Sequence, residues 1–172
     1  MKSKMVGLFA LVMIALMVAG FAYAHWSETL IISGSVGTGK LDAAWSIEEC
    51  WDNEPEAKDY SSVSCEIEGY TLYVTIENAY PSIDYYCLIN LENTGTIPLH
   101  IYEIAIDRGN LPEGTTLEIL PVEGELEIAE CTQLHPEEAA WGILHIHLDQ
   151  DAEELATYTF SITVTVVQWN YP

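Results

Sequence analysis

Positive charge is nearly missing from this chain: 5 Lys and Arg stand against 27 Asp and Glu, a formal charge of −22 over 172 residues. That excludes a nucleic-acid binder, which needs cations to neutralise phosphates, and argues against electrostatic docking on anionic lipid. Catalytic motifs are missing too. There is no G-x-S-x-G, no H-E-x-x-H and no Gly-rich phosphate loop, so the chain is not expected to be an enzyme. The pairs Glu137–Glu138 and Glu153–Glu154 are of the type glycosidases use, but adjacent acids arise by chance among 27. No C-x-x-C pair occurs, which weighs against a tetrathiolate metal site. No N-x-S/T sequon occurs either, so N-glycosylation is not expected.

What is present begins with an export signal. Lys2 and Lys4 precede an apolar run from Met5 to Phe21, and Ala22-Tyr23-Ala24 fits the A-x-A rule. A cut between Ala24 and His25 is therefore expected. Left uncut, the run to Ala24 is long enough to span a bilayer, and this is the only membrane association expected. Either way the rest of the chain is expected to be extracellular or at the cell surface. Cleavage removes Lys2 and Lys4, leaving Lys40, Lys58 and Arg108 against all 27 acids, a formal charge of −24. Copies so charged repel one another unless salt or divalent cations screen them. The remaining 148 residues suit one domain. They are too rich in apolar and β-branched residues for a disordered acidic tail.

The four cysteines, Cys50, Cys65, Cys87 and Cys131, all lie in the exported part. An even count outside the cytoplasm favours disulfides. Three pairings satisfy it. The preferred one joins Cys50 to Cys65, closing a local acidic loop, and Cys87 to Cys131, stapling a core strand to a distant loop.

The pattern is one of strands. Segments 28–36 and 39–47 come first, then an acidic loop over 48–60. A hairpin over 61–80 turns at Gly69, and its second arm sets Leu72, Val74 and Ile76 on one face. Segment 84–93 puts Tyr85, Cys87, Ile89 and Leu91 together. Segment 97–107 ends in the turn 107–110. Segments 115–122 and 125–130 read as a pair around Gly124. In 141–149, Leu144, Ile146 and Leu148 share a face. The longest strand, 156–170, has the cleanest period-2 pattern, with Tyr158, Phe160, Ile162, Val164 and Val166 inward. No segment here has a convincing helical period. Short strands with turns every 8–12 residues predict an all-β fold, a single jelly-roll or immunoglobulin-like β-sandwich.

Several side chains invite a ligand. His145 and His147 are two apart on a strand, so both rings leave one face, and with His100 or His135 they would suit zinc. The plainer reading is an exposed polar face opposite Leu144, Ile146 and Leu148. The acidic runs 48–56 and 149–154 offer carboxylates to Ca²⁺, though neither matches an EF-hand loop. No other cofactor is expected. Trp26, Trp45, Trp141 and Trp169 read as packing residues rather than a sugar platform.

Three stretches, taken in order, resemble the TasA- and camelysin-type secreted proteins. After the cleavage site come Trp26-Ser27-Glu28 and then Gly39-Lys40-Leu41-Asp42. The block 79–101 carries Tyr80-Pro81 and Asn93-Thr94-Gly95, and 134–170 is similar to the closing block of archaeal relatives. The resemblance implies a structural subunit of an extracellular filament, a pilus or biofilm-matrix fibre. In such fibres an N-terminal strand inserts into the sheet of the next copy. Implied here are a donor strand and hinge over 25–38, protruding from a sandwich over 39–172, and a partner that is the chain itself. Trp26, Glu28, Leu30 and Ile32 share one face of that segment, with Leu30 and Ile32 as anchors. Gly34, Gly37 and Gly39 would hinge it. Head-to-tail insertion makes an open filament. The competing expectation is a monomeric acidic surface or matrix-binding module, bridged by calcium.

Overall fold

The computed structural model describes residues 2–24, 37–55 and 60–171. The chain divides into two units, Met1–Gly37 and Thr38–Pro172. In the first, the apolar run forms helix α1 (Lys2–Ala24), with the A-x-A positions Ala22 and Ala24 in its last turn. Among the described residues no helix is long and apolar enough to cross a membrane. His25, the donor positions Trp26, Glu28, Leu30 and Ile32, and Gly34 lie outside the described residues.

The second unit is the expected all-β sandwich. One sheet orders β1 (Ala44–Asp52), β4 (Asp84–Glu92), β9 (Ala139–His147) and β6 (Thr116–Pro121). A two-residue β7 (Leu126–Glu127) runs parallel to β9 just past the end of β6. The other sheet orders β2 (Ser62–Glu68), β3 (Thr71–Ala79), β10 (Ala156–Gln168), β5 (Leu99–Asp107) and β8 (Gln133–Leu134). Alternation decides which residues meet between the sheets. Leu72, Val74 and Ile76 of β3, Tyr85, Cys87, Ile89 and Leu91 of β4, Leu144 and Ile146 of β9, and Phe160, Ile162 and Val164 of β10 are all buried. The β2–β3 hairpin turns at Gly69, whose φ of 61° suits glycine.

Three expectations need correction. The acidic run after Ile47 is not a loop: β1 continues through it to Asp52. A bulge between Ile47 and Glu49 absorbs one residue, leaving Glu48 and Glu49 exposed and Cys50 against Cys87. An edge strand tolerates such charges because one rim and one face meet water. Segments 115–122 and 125–130 do not pair with each other; β6 and β7 both pair with β9. The domain also begins as a strand at Ala44 rather than at residue 39. Residues 40–42 are nonetheless docked, since Lys40 N donates to Thr96 Oγ1 at 2.8 Å and Gly95 N to Asp42 O at 3.2 Å.

Candidate functional site

The sheets meet along two seams, and each carries candidate chemistry. At one, β1 faces β2, and three sulfurs converge. Cys50 of β1 and Cys87 of β4 are directly opposed in register and form a disulfide with Cα atoms 4.1 Å apart. Cys65 arrives from β2 in the other sheet. Its Sγ lies 3.1 Å from that of Cys87 and 3.5 Å from that of Cys50. The expected pairing of Cys50 with Cys65, and of Cys87 with Cys131, is therefore corrected. Register places Cys87, not Cys65, across from Cys50. Cys131 is an exposed free cysteine whose N–H donates to Ile101 O at the far edge of β5. The disulfide fits an oxidising compartment.

The sulfur trio also has metal-ligand geometry, with its three Sγ atoms within 4.8 Å of one another. Electrostatics favours a disulfide plus a neutral thiol. Burial pushes the Cys65 thiol up to about 12, and three thiolates in an acidic protein would add net negative charge to the interior. Below the sulfurs the same seam is closed by a polar chain. Tyr85 OH donates to Ser61 Oγ at 2.9 Å, and Ser61 Oγ bonds in turn to Glu54. Glu54 also accepts from Tyr60 N and Ser61 N. This carboxylate of the first acidic run is thus committed to fastening its own loop.

Among the described residues the opposite seam is open. Both strand orders run the same way from β1 and β2, so β6 and the β5–β8 edge lie together on the far side, joined by residues 108–115. There β8 pairs with β5 only at Leu99 and His100. Loop bonds from Thr132 and Cys131 to Ile101 extend this by one residue. From Tyr102 to Asp107 no strand among the described residues pairs with the outer edge of β5. Ile104 and Ile106 stand opposite Val164 and Ile162 of β10, so they face inward, yet Ile106 is 41 % exposed. Ile67 of β2 is similarly exposed at 42 %, but its neighbours Val63 and Cys65 pack against the core. The other free edges are blunted: β1 by its bulge and glutamates, β2 by Glu66 and Glu68, β6 by its short length and Pro121.

Of the three hinge glycines, Gly37 meets nothing within 4 Å, whereas a Cβ on Gly39 would lie 2.0 Å from Ile97 Cγ2. Gly39 thus serves close approach rather than swivelling. Trp45 is buried, with Nε1–H donating to Tyr70 O at 2.9 Å; Trp169 is exposed. His145 and His147 project from the outer face of β9, as the plainer reading had it. Neither meets His100, which is on β5 of the other sheet, or His135, which lies in the turn after β8. Their partner is one the sequence reading missed: Asp84 of β4, directly across from His147. Nothing local in the chain signals it, because β4 and β9 are neighbours only through the sheet order.

In comparisons with known proteins, no family model, no curated protein and no solved structure matches this chain, so the TasA-type resemblance rests on its ordered motifs alone.

Proposed function

We propose that the protein is the structural subunit of an extracellular filament, joined head to tail when residues 25–33 of one copy add a strand to the next. The observation that carries this reading is the stretch of β5 that no described strand pairs with. From Tyr102 to Asp107 no strand among the described residues takes the outer backbone hydrogen bonds of β5, beside two inward-facing isoleucines. An added strand in line with β8 would take those bonds, and Leu30 and Ile32 would cover Ile104 and Ile106. Each fully buried aliphatic side chain contributes about 1.5–3 kcal/mol. Segment 25–36 extended reaches roughly 40 Å at about 3.3 Å per residue, enough to cross a neighbouring sheet.

The test is deletion of residues 25–33, followed by negative-stain microscopy of the processed protein. A folded monomer that regains assembly on addition of a His25–Ser33 peptide supports the reading, and unchanged filaments overturn it. Chelation separates the acidic, calcium-bridged module, which predicts no filaments in any sample and clusters that disperse when calcium is removed.

A further inference from the structure

Three of the four cysteines converge from three different strands. Cys50 of β1 and Cys87 of β4 stand opposite each other in one sheet, and Cys65 of β2 reaches them from the other. Cys65 Sγ lies 3.1 Å from Cys87 Sγ and 3.5 Å from Cys50 Sγ, and all three sulfurs fall within 4.8 Å of one another. Among the described residues no other trio of His, Cys, Asp or Glu gathers its ligand atoms so closely. The backbone sets this up. Cys87 is buried on the inward face of β4 with Tyr85 and Ile89. The bulge between Ile47 and Glu49 brings Cys50 against it. Cys65 is held by its pairing with Val74, a core residue of β3. One disulfide uses two of these sulfurs and leaves the third beside them.

We infer that, once the Cys50–Cys87 disulfide is reduced, Cys50, Cys65 and Cys87 form a three-thiolate binding site for a divalent ion of the zinc class. Reduction by a dithiol breaks the S–S bond with two electrons and two protons, leaving three thiols here and a disulfide on the reductant. The ion then forms three metal–sulfur bonds, and the three thiol protons pass to solvent. At about 2.3 Å per Zn–S bond and tetrahedral angles, the sulfurs stand roughly 3.8 Å apart. Cys65 thus shifts by less than an ångström, and Cys50 and Cys87, freed of their bond, part to ordinary contact. Thiolates select soft and borderline ions over Ca²⁺, which takes oxygens. Charge selects a divalent one. Three buried thiolates alone carry uncompensated charge, of which a divalent ion cancels two units and a monovalent ion one. Cys50 and Cys65 are only half-buried, which lets water take the fourth position. The seam then has one fastening for each redox state. The disulfide ties β1 to β4 within a sheet, and the ion ties both of them to β2 across the sheets.

The test titrates Co²⁺, and then Zn²⁺, into the full chain under argon. A Cys131→Ser background keeps the exposed thiol from contributing, and a phosphine reductant supplies the reduced form. Reduced protein should take one Co²⁺ per chain, with a sulfur-to-cobalt charge-transfer absorption that Zn²⁺ abolishes and Ca²⁺ leaves alone. Oxidised protein should show no such absorption. Cys65→Ser keeps the Cys50–Cys87 pair, so circular dichroism can establish its fold before reduction; after reduction it should lose tight binding. If the reduced parent loosens, Zn²⁺ should restore its circular dichroism. The inference is overturned if the reduced parent takes up neither ion, if it unfolds on reduction and Zn²⁺ does not restore it, or if reduced Cys65→Ser binds as tightly as the parent.

Discussion

The two seams of the sandwich are built to opposite specifications. Where β1 meets β2, Cys65 of one sheet packs on the Cys50–Cys87 disulfide within the other, and the Tyr85–Ser61–Glu54 chain bonds alongside. Where β5 meets β6, no strand among the described residues pairs with β5 from Tyr102 onward, and Ile106 is 41 % exposed. Both seams belong to one small, heavily charged domain, so the difference is not one of composition. A closed seam holds the fold against self-repulsion, and under the proposed assembly the other gains its stabilisation from a second copy. Removing contacts at the closed seam should therefore cost stability, and doing so at the open seam should cost assembly.

The largest effect is expected from the sulfurs. Replacing Cys50 and Cys87 together by Ser removes a crosslink across 37 residues, worth about 3–4 kcal/mol in the chain-entropy picture. Urea unfolding of the oxidised protein, with and without the substitution, measures it. Cys65→Ala should leave the Cys50–Cys87 bond intact in peptide mapping. If it instead scrambles pairing to Cys131, Cys65 is not the spare thiol of the cluster. Next in size is Ser61→Ala, which strips both Tyr85 OH and Glu54 of a partner inside the closed seam. A lost buried hydrogen bond of this kind costs about 1–2 kcal/mol, readable as a lower urea midpoint with an unchanged slope.

The closed seam was also the part least legible beforehand. Four cysteines in sequence do not reveal their pairing, because β1 and β2 belong to different sheets while β1 and β4 are neighbours. The acidic run at 48–52 hid an edge strand, since only Cys50 among those residues must face in. The strands with two buried neighbours were readable from alternation: β10 with Tyr158, Phe160, Ile162 and Val164, and β4 with Tyr85 to Leu91. Short pieces such as β8, held by two residue pairs, carry too little pattern to read. The His145–His147 pair was visible as a strand motif. Asp84 was not, lying about sixty residues away and joined to them only by sheet order.

Across the outer face, the Asp84–His145–His147 cluster should give stability a pH profile. Burial opposes protonation of His145, but its hydrogen bonds to Asp84 and Glu118 outweigh that, and its pKa is raised from 6.5. Burial likewise opposes ionisation of Asp84, yet the bonds from His145 and His147 hold it below 3.8. The histidine contribution is complete below pH 6.5 and is lost as pH climbs through the raised value. The aspartate contribution is present above 3.8 and is lost as pH falls through the lowered one. Urea midpoints should fall as pH rises from 6.5 through the raised His145 value in the parent, and should fall less in His145→Gln.

The smallest stability effect, and the sharpest functional one, belongs to the open seam. Ile106 already shows 41 % of its surface to water, so Ile106→Glu forfeits only part of a side-chain burial. Its new charge sits at the rim, where solvation is retained, and a loss of about 0.5–1 kcal/mol is expected. An added strand, in contrast, would have to bury that carboxylate beside Leu30 or Ile32 at a cost of several kcal/mol without a partner charge. Filaments should therefore vanish while the monomer stays folded. The same substitution at the half-exposed Ile67 of β2 serves as the control and should leave assembly intact. If Ile67→Glu blocks filaments and Ile106→Glu does not, the incoming strand docks on β2, and the openness of β5 is a feature of the free domain with no part in joining copies.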